Sequence, residues 1–386
     1  LPTPSWKSGN SGSGRRPAID SPSNNQAPWF DKLTINRKNP FVLSLSKDQK
    51  RPHLELLDRH QANCNEEKAN DMAPRIPSEE EVLEYFNTLS NWGRWGDDDL
   101  LGTLNLVDNE TRIRAAALVK LGITVGCARP ISTAPAIDTP IPPLHFMLES
   151  GEGYNLASAG ARGPRQAVGD LIALAFHGLY CTHIDALSHV FWDGKMYGGR
   201  PAEMVTTRGG ATVNDVAVLK DGVITRGVLL DITKVRGKEW FEPGEAVYVE
   251  DLEAAEAAQG VRVGVGDALC LRLGWYKRRL ALGPVIRVDG RPGLHAETLP
   301  WLRERGVSLI ASDAAHDVIP SGYEALDMPI HQVGIVAMGL WLLDNANFDD
   351  LVVQCEALGR WDFMFTMAAL RFPTVTGSPV TPLATF

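Results

Sequence analysis

Thr182-His183-Ile184-Asp185-Ala186-Leu187-Ser188-His189 places three titratable side chains within seven residues of otherwise small or apolar sequence. In an extended strand, alternate side chains share a face. His183 and Asp185 would then lie about 7 Å apart at their Cα atoms, within reach of one divalent ion. His189 follows one short turn later. An imidazole near a metal but not bound to it is what a general base acting on metal-bound water would look like. Burying three such groups between Phe176 and Phe191 is costly unless they have partners. The bland reading is a strand with satisfied polar residues; the pattern predicts a metal-dependent enzyme.

The segment, taken over residues 176–199, is similar to the His-x-Gly-Thr-His-x-Asp-x-x-x-His signature of the metal-dependent cyclase superfamily, which includes bacterial kynurenine formamidase and isatin hydrolase. The signature's second His, its Asp and its last His fall on His183, Asp185 and His189. Its first His, a metal ligand in the formamidase branch, falls on Leu179, and its Gly falls on Cys181. His177 has the same strand parity as Leu179 and could supply the missing nitrogen if the strand bulges or bends. A core histidine bonded to a backbone carbonyl is the equal alternative.

The likeness continues downstream. Leu271-Arg272-Leu273-Gly274-Trp275 looks like the family's strand ending in a Gly-Trp turn, and Trp301 to Val307 like its helix leading into the next strand. Met328-Pro329-Ile330-His331 resembles the family's Pro-x-His, whose His binds a second metal in the formamidase branch. A Glu about a dozen residues later bridges the metals there. The nearest acidic residue here is Asp344, one methylene shorter, as a ligand or as a group orienting one. Lys195 to Gly199 and Gly377 to Pro382 look like a longer branch of the superfamily.

The resemblance implies an α/β fold, a mixed central and barrel-like β-sheet flanked by helices in a single main domain. It also implies a metal-dependent hydrolase of an amide, formamide or cyclic amide, with lactones as a close variant. The divalent ion, zinc or manganese, would be held by His183, Asp185 and His331, with His177 and Asp344 as further candidates. His189 would move the proton. Two alternatives stand beside this: metal-promoted cyclisation or dehydration, and a non-catalytic small-molecule-binding protein, given Leu179.

Composition agrees with a globular enzyme. The 386 residues are 44% hydrophobic and 22% charged, with a net charge of −9. No basic run with interleaved aromatics offers a surface for phosphates, so a small-molecule substrate is expected and nucleic acid is not. Five cysteines without a Cys-x-x-Cys pair argue against a disulfide framework. No apolar run approaches the ~18 residues of a membrane span, and a cytoplasmic homodimer or homotetramer is expected. P-loop and Gly-x-Ser-x-Gly patterns are missing. Cys181 reads as a buried structural thiol rather than a nucleophile.

Residues 1–71 are rich in Ser, Asn, Pro and basic residues, with too little apolar surface to offset their ordering entropy. They are expected to be a disordered or non-native extension, with a regulatory tail as the competing reading. The hydrolase domain is expected over 72–386. Ser78-Glu79-Glu80-Glu81 reads as a capped helix start, with an end near Asn91, and a second helix is expected over Asn109 to Leu121. Trp92 and Trp95, with Phe191 and Tyr197, are candidates to wall an aromatic substrate pocket; packing of a helix pair onto a sheet is the other role for the tryptophans. The Pro-rich stretch 123–150 suits a long surface loop near a site mouth, and His145 at its end could touch substrate. Beyond the signature, apolar runs at Val228 to Ile232, Ala268 to Leu273 and Val307 to Ala311 alternate with helical stretches at Glu250 to Gln259 and Leu299 to Arg305.

Overall fold

A computed structural model describes residues 75–152, 167–286 and 289–386. The extension expected over 1–71 lies outside the described residues. Four consecutive strands run parallel at the centre: β3 (Val223–Asp231), β4 (Ala268–Arg272), β5 (Leu309–Ser312) and β6 (Trp341–Asp344). Every residue of β4, β5 and β6 is buried, as continuous apolar runs covered on both faces should be. Helices α3 (Val249–Gln259) and α4 (Thr298–Arg305) provide the crossovers that parallel neighbours require. The helices and strands read from the apolar alternation are present, with boundaries within a few residues except at the start of β3.

Antiparallel strands extend both sides of this core. On one side β3 pairs with β7 (Asp362–Met367), then β9 (Leu383–Thr385), then β1 (Thr124–Gly126). On the other, β6 pairs with β2 (His183–Asp185), and β2 with β8 (Gly377–Pro379). The nine-stranded sheet therefore has the order β1-β9-β7-β3-β4-β5-β6-β2-β8. Strands β8 and β9 lie towards opposite ends of that order, yet only residues 380–382 join them. Such a link reaches about 14 Å at most, so the sheet must curl until its ends approach. Ile224, Thr366 and Leu383 from one end and Thr182, Pro379 and Val380 from the other line a shared cleft of about 630 Å³. The barrel-like α/β fold expected from the sequence is the fold observed.

Helix α1 (Glu79–Thr88) begins as its capping box requires: Glu81 N donates to Ser78 Oγ at 3.3 Å, and Ser78 N to Glu81 Oε2 at 2.8 Å. It ends at Thr88 rather than near Asn91. Helix α2 (Asn109–Ala116) is capped by Asp108, which accepts from Thr111 N at 2.8 Å, and stops five residues before Leu121. The stretch 123–150 is not one long loop. Its start is β1, and its end, Leu144–Glu149, forms a hairpin with Gly169–Ala173. Residues of both hairpin faces are exposed, Phe146 and Ile172 among them. Among the described residues, no helix is long and apolar enough to cross a membrane. Cys127, Cys181, Cys270 and Cys355 are buried free thiols. Burial pushes Cys181 up to about 11, in keeping with a structural rather than nucleophilic thiol.

Candidate metal centre

Strand β2 is three residues long, and its pleat puts His183 and Asp185 on one face. Asp344, at the carboxyl end of β6, lies directly opposite His183 in the antiparallel register and so shares that face. The site thus forms where the parallel strands end, the usual place for ligands in open α/β sheets. His331 arrives on the short helix α5 (Pro329–Val333). Its ring is fixed by Asp317, whose carboxylate receives the His331 Nδ1–H together with the backbone N–H groups of Ile330 (2.6 Å) and His331 (3.3 Å). One carboxylate therefore caps the helix start and sets the tautomer of its histidine.

Before β2 the chain is not extended. Residues 177–181 form bends, with Gly178 at φ 136°. Parity along a strand therefore does not apply to His177. The bend brings it to the cluster instead, with Nδ1 2.9 Å from Asp185 Oδ1 and Nε2 3.0 Å from Thr376 Oγ1. Leu179 only lines the cavity wall.

Two donor groups result, and Asp185 belongs to both: His177, His183 and Asp185, and Asp185, His331 and Asp344. Within each group the ligand atoms lie no more than 4.8 Å apart. Asp185 is 1% exposed, and neither of its oxygens has a hydrogen bond of good geometry. His183 Nδ1–H donates to the Cys181 carbonyl at 2.8 Å, so the lone pair of a neutral ring is on Nε2, which faces Asp185 Oδ1 at 3.4 Å. His331 Nε2 likewise faces Asp185 Oδ2 at 3.5 Å and Asp344 Oδ2 at 3.7 Å. Acceptor atoms that converge in a buried place repel one another, and an unsatisfied buried acceptor costs about 1–3 kcal/mol or more. A cation between them removes the conflict. The donor set, imidazole nitrogens with carboxylate oxygens, fits a divalent transition metal.

The electrostatics agree. Burial would raise Asp185, but His189 foremost, then His177, His331 and His183, hold its carboxyl well below the usual range. Burial would lower His331, but Asp317 first, then Asp185 and Asp344, push it well above the ordinary imidazole value. This is a place built to attract positive charge.

His189 stands apart. It belongs to neither donor group; its Nε2 is 3.8 Å from Asp185 Oδ2, and its ring stacks on His177 at 3.9 Å. Burial, aided by the three nearby imidazoles and opposed by Asp185, lowers it to about 4. A neutral ring at pH 7 can accept a proton. His189 opens onto a cavity of about 280 Å³ shared with the donor residues, Arg291 and Met328.

None of the four aromatic candidates lines this cavity. Trp92 donates Nε1–H to the Val336 carbonyl at 2.7 Å and, with Tyr197, lines a separate cavity of about 350 Å³. Tyr197 is buried and donates to Asp99 Oδ2 at 2.7 Å. Arg94 lies over the Trp95 ring, and Phe191 is 38% exposed. His145 is tied to Asp170 within the exposed hairpin. Sequence reasoning overlooked His316 and Asp317. The signal was present, because Asp313-Ala314-Ala315-His316-Asp317 crowds titratable groups after an apolar strand just as 183–189 does.

Gly377 explains part of the closing motif. It pairs with Asp185, and a Cβ there would meet the Ile184 carbonyl at 2.6 Å and His177 Cε1 at 2.8 Å. Gly377→Ala is therefore expected to displace His177 and weaken metal binding about 10-fold or more, as loss of a supporting contact does. Metal titration against wild type, with circular dichroism to monitor folding, checks this; equal affinities would show that the His177 ring does not depend on that space.

The Cyclase family model matches residues 121–316, just over half of the chain. A solved structure described as a novel cyclase is 30% identical, with a TM-score of 0.71 over 78% of this chain and 100% of that one. Isatin hydrolase A from Labrenzia aggregata, bound to benzyl benzoate, is 20% identical, with a TM-score of 0.49 over 70% of this chain and 96% of its own. Isatin hydrolase A from Ralstonia solanacearum is 21% identical, with a TM-score of 0.49 over 68% and 91%. No curated protein matches the chain. On the family match and on the likeness to the novel cyclase along its whole length, the chain belongs to the cyclase family.

Proposed function

We propose that the chain is a metal-dependent hydrolase that cleaves the C–N bond of an amide, formamide or cyclic amide, with lactones as a close variant. The observation that carries this reading is Asp185, a buried carboxylate without settled hydrogen bonds at the shared corner of two donor groups, with a neutral imidazole beside it. His177, His183, Asp185, His331 and Asp344 would hold zinc or manganese. A divalent ion bound there supplies a Lewis acid that polarises a carbonyl and lowers the pKa of water towards ~7.

The chain's own groups do the rest. Asp317 keeps His331 Nε2 directed into the cavity, and the Cys181 carbonyl does the same for His183. His189 Nε2 takes a proton from the attacking water and can return it to the departing nitrogen, since its ring is neutral at the start. Arg291, whose Nε donates to the Asp317 carbonyl at 3.3 Å, lines the same cavity and braces the Asp317 backbone.

The test is a screen of N-formyl aryl amines, cyclic imides and lactones with metal-loaded and chelator-treated protein. Turnover of a C–N substrate that disappears on chelation and returns with zinc or manganese supports the reading. Turnover that is indifferent to chelation contradicts it.

A further inference from the structure

Asp344 sits between two imidazoles, one at each oxygen. Its Oδ2 faces His331 Nε2 at 3.7 Å, and its Oδ1 lies 3.2 Å from His316 Nε2. The His316 side chain is fully buried, and neither ring nitrogen has a settled hydrogen bond among the described residues; nor does Asp344 Oδ1. A buried histidine with both nitrogens in that state, one of them beside an equally unsatisfied carboxylate oxygen, calls for a reason.

The backbone around His316 is held in place. Leu294 N donates to the His316 carbonyl at 2.6 Å, and Gly293 passes so close that a Cβ there would overlap the backbone of His316 and Asp317. The segment that follows β5 thus offers two neighbouring side chains to the same donor group, Asp317 to His331 and His316 to Asp344. Asp317 makes its contact through well-formed hydrogen bonds. The second contact, His316 Nε2 to Asp344 Oδ1 at 3.2 Å, is the corresponding approach, made without a hydrogen bond of good geometry.

We propose that His316 is a positioning residue that takes Asp344 by Oδ1 and so leaves Oδ2 as the one oxygen presented beside Asp185 and His331. A carboxylate held by one oxygen binds an ion through the other in a fixed direction; a freely turning one does not. The inference rests on the metal reading above and adds to it a residue outside both donor groups.

Cobalt(II) titration of the full chain, followed by visible absorption and by bound metal per chain, tests it with His316→Leu, His316→Gln and His316→Asn. The Leu variant fills the space without a donor, Gln restores an N–H near the position of Nε2, and Asn carries one too short to reach. Leu and Asn are expected to weaken cobalt uptake about 10–100-fold and alter its spectrum, with Gln close to wild type. Should the Leu variant fail to fold, the contrast of Gln with Asn carries the test. Wild-type titrations in all three variants would make His316 mere filling and overturn the proposal. Loss in all three, in folded protein, would make the ring itself a ligand and overturn it as well. If wild type takes up no cobalt, the metal reading fails first and this proposal with it.

Discussion

Asp185→Asn is expected to abolish stable metal binding and, with it, activity on any substrate that wild type turns over. Asn is nearly isosteric, so the 1%-exposed site keeps its shape while the one charge common to both donor groups is removed. A neutral amide also presents an N–H₂ that opposes a cation. The loss should exceed the 10–100-fold typical of outer supporting residues, because the ligand itself is changed. Metal analysis and far-ultraviolet circular dichroism together separate this from unfolding. Unchanged metal content in folded Asp185→Asn would mean the ion, if any, sits elsewhere.

His189→Ala should give the opposite pattern: metal near wild-type occupancy and a kcat lower by roughly 10²–10⁴, the usual share of a general acid–base group. The contrast follows from geometry, since His189 is outside both donor groups and reaches Asp185 only at 3.8 Å. Alanine also removes the ring stacked on His177, so His189→Gln serves as a second variant that keeps more of the contact. Steady-state kinetics and metal counts on both variants decide the role. If both strip the metal as thoroughly as Asp185→Asn, His189 is a ligand and the base must be sought elsewhere.

Residues of one local segment were legible because strand geometry alone relates them. His183 and Asp185 meet on β2 as the pleat requires, and the alternation of apolar runs and helical stretches marks the parallel core. The distant partners were legible only through resemblance. Nothing in the periodicity says that β6 lies beside β2, yet that pairing is what brings Asp344 to His183. His177 could not be placed from parity because the chain bends at Gly178, and a bend erases the alternation on which parity depends. His316 and Asp317 were missed for a related reason: their partners, Asp344 and His331, are joined to them by tertiary packing rather than spacing. Trp92 and Tyr197 do line a cavity, but one apart from the donor groups, and a bulky ring in a glycine-rich loop looks the same in sequence whichever cavity it reaches. The Val336 carbonyl that receives the Trp92 N–H is 244 residues away.

The claim on which everything else depends is that the buried His and Asp cluster is a divalent-cation centre. The most direct measurement is elemental analysis of the wild-type chain after chelation, reconstitution with zinc or manganese and gel filtration. At least one ion per chain should survive filtration. Trace metal only, in folded protein offered either ion, would contradict the account.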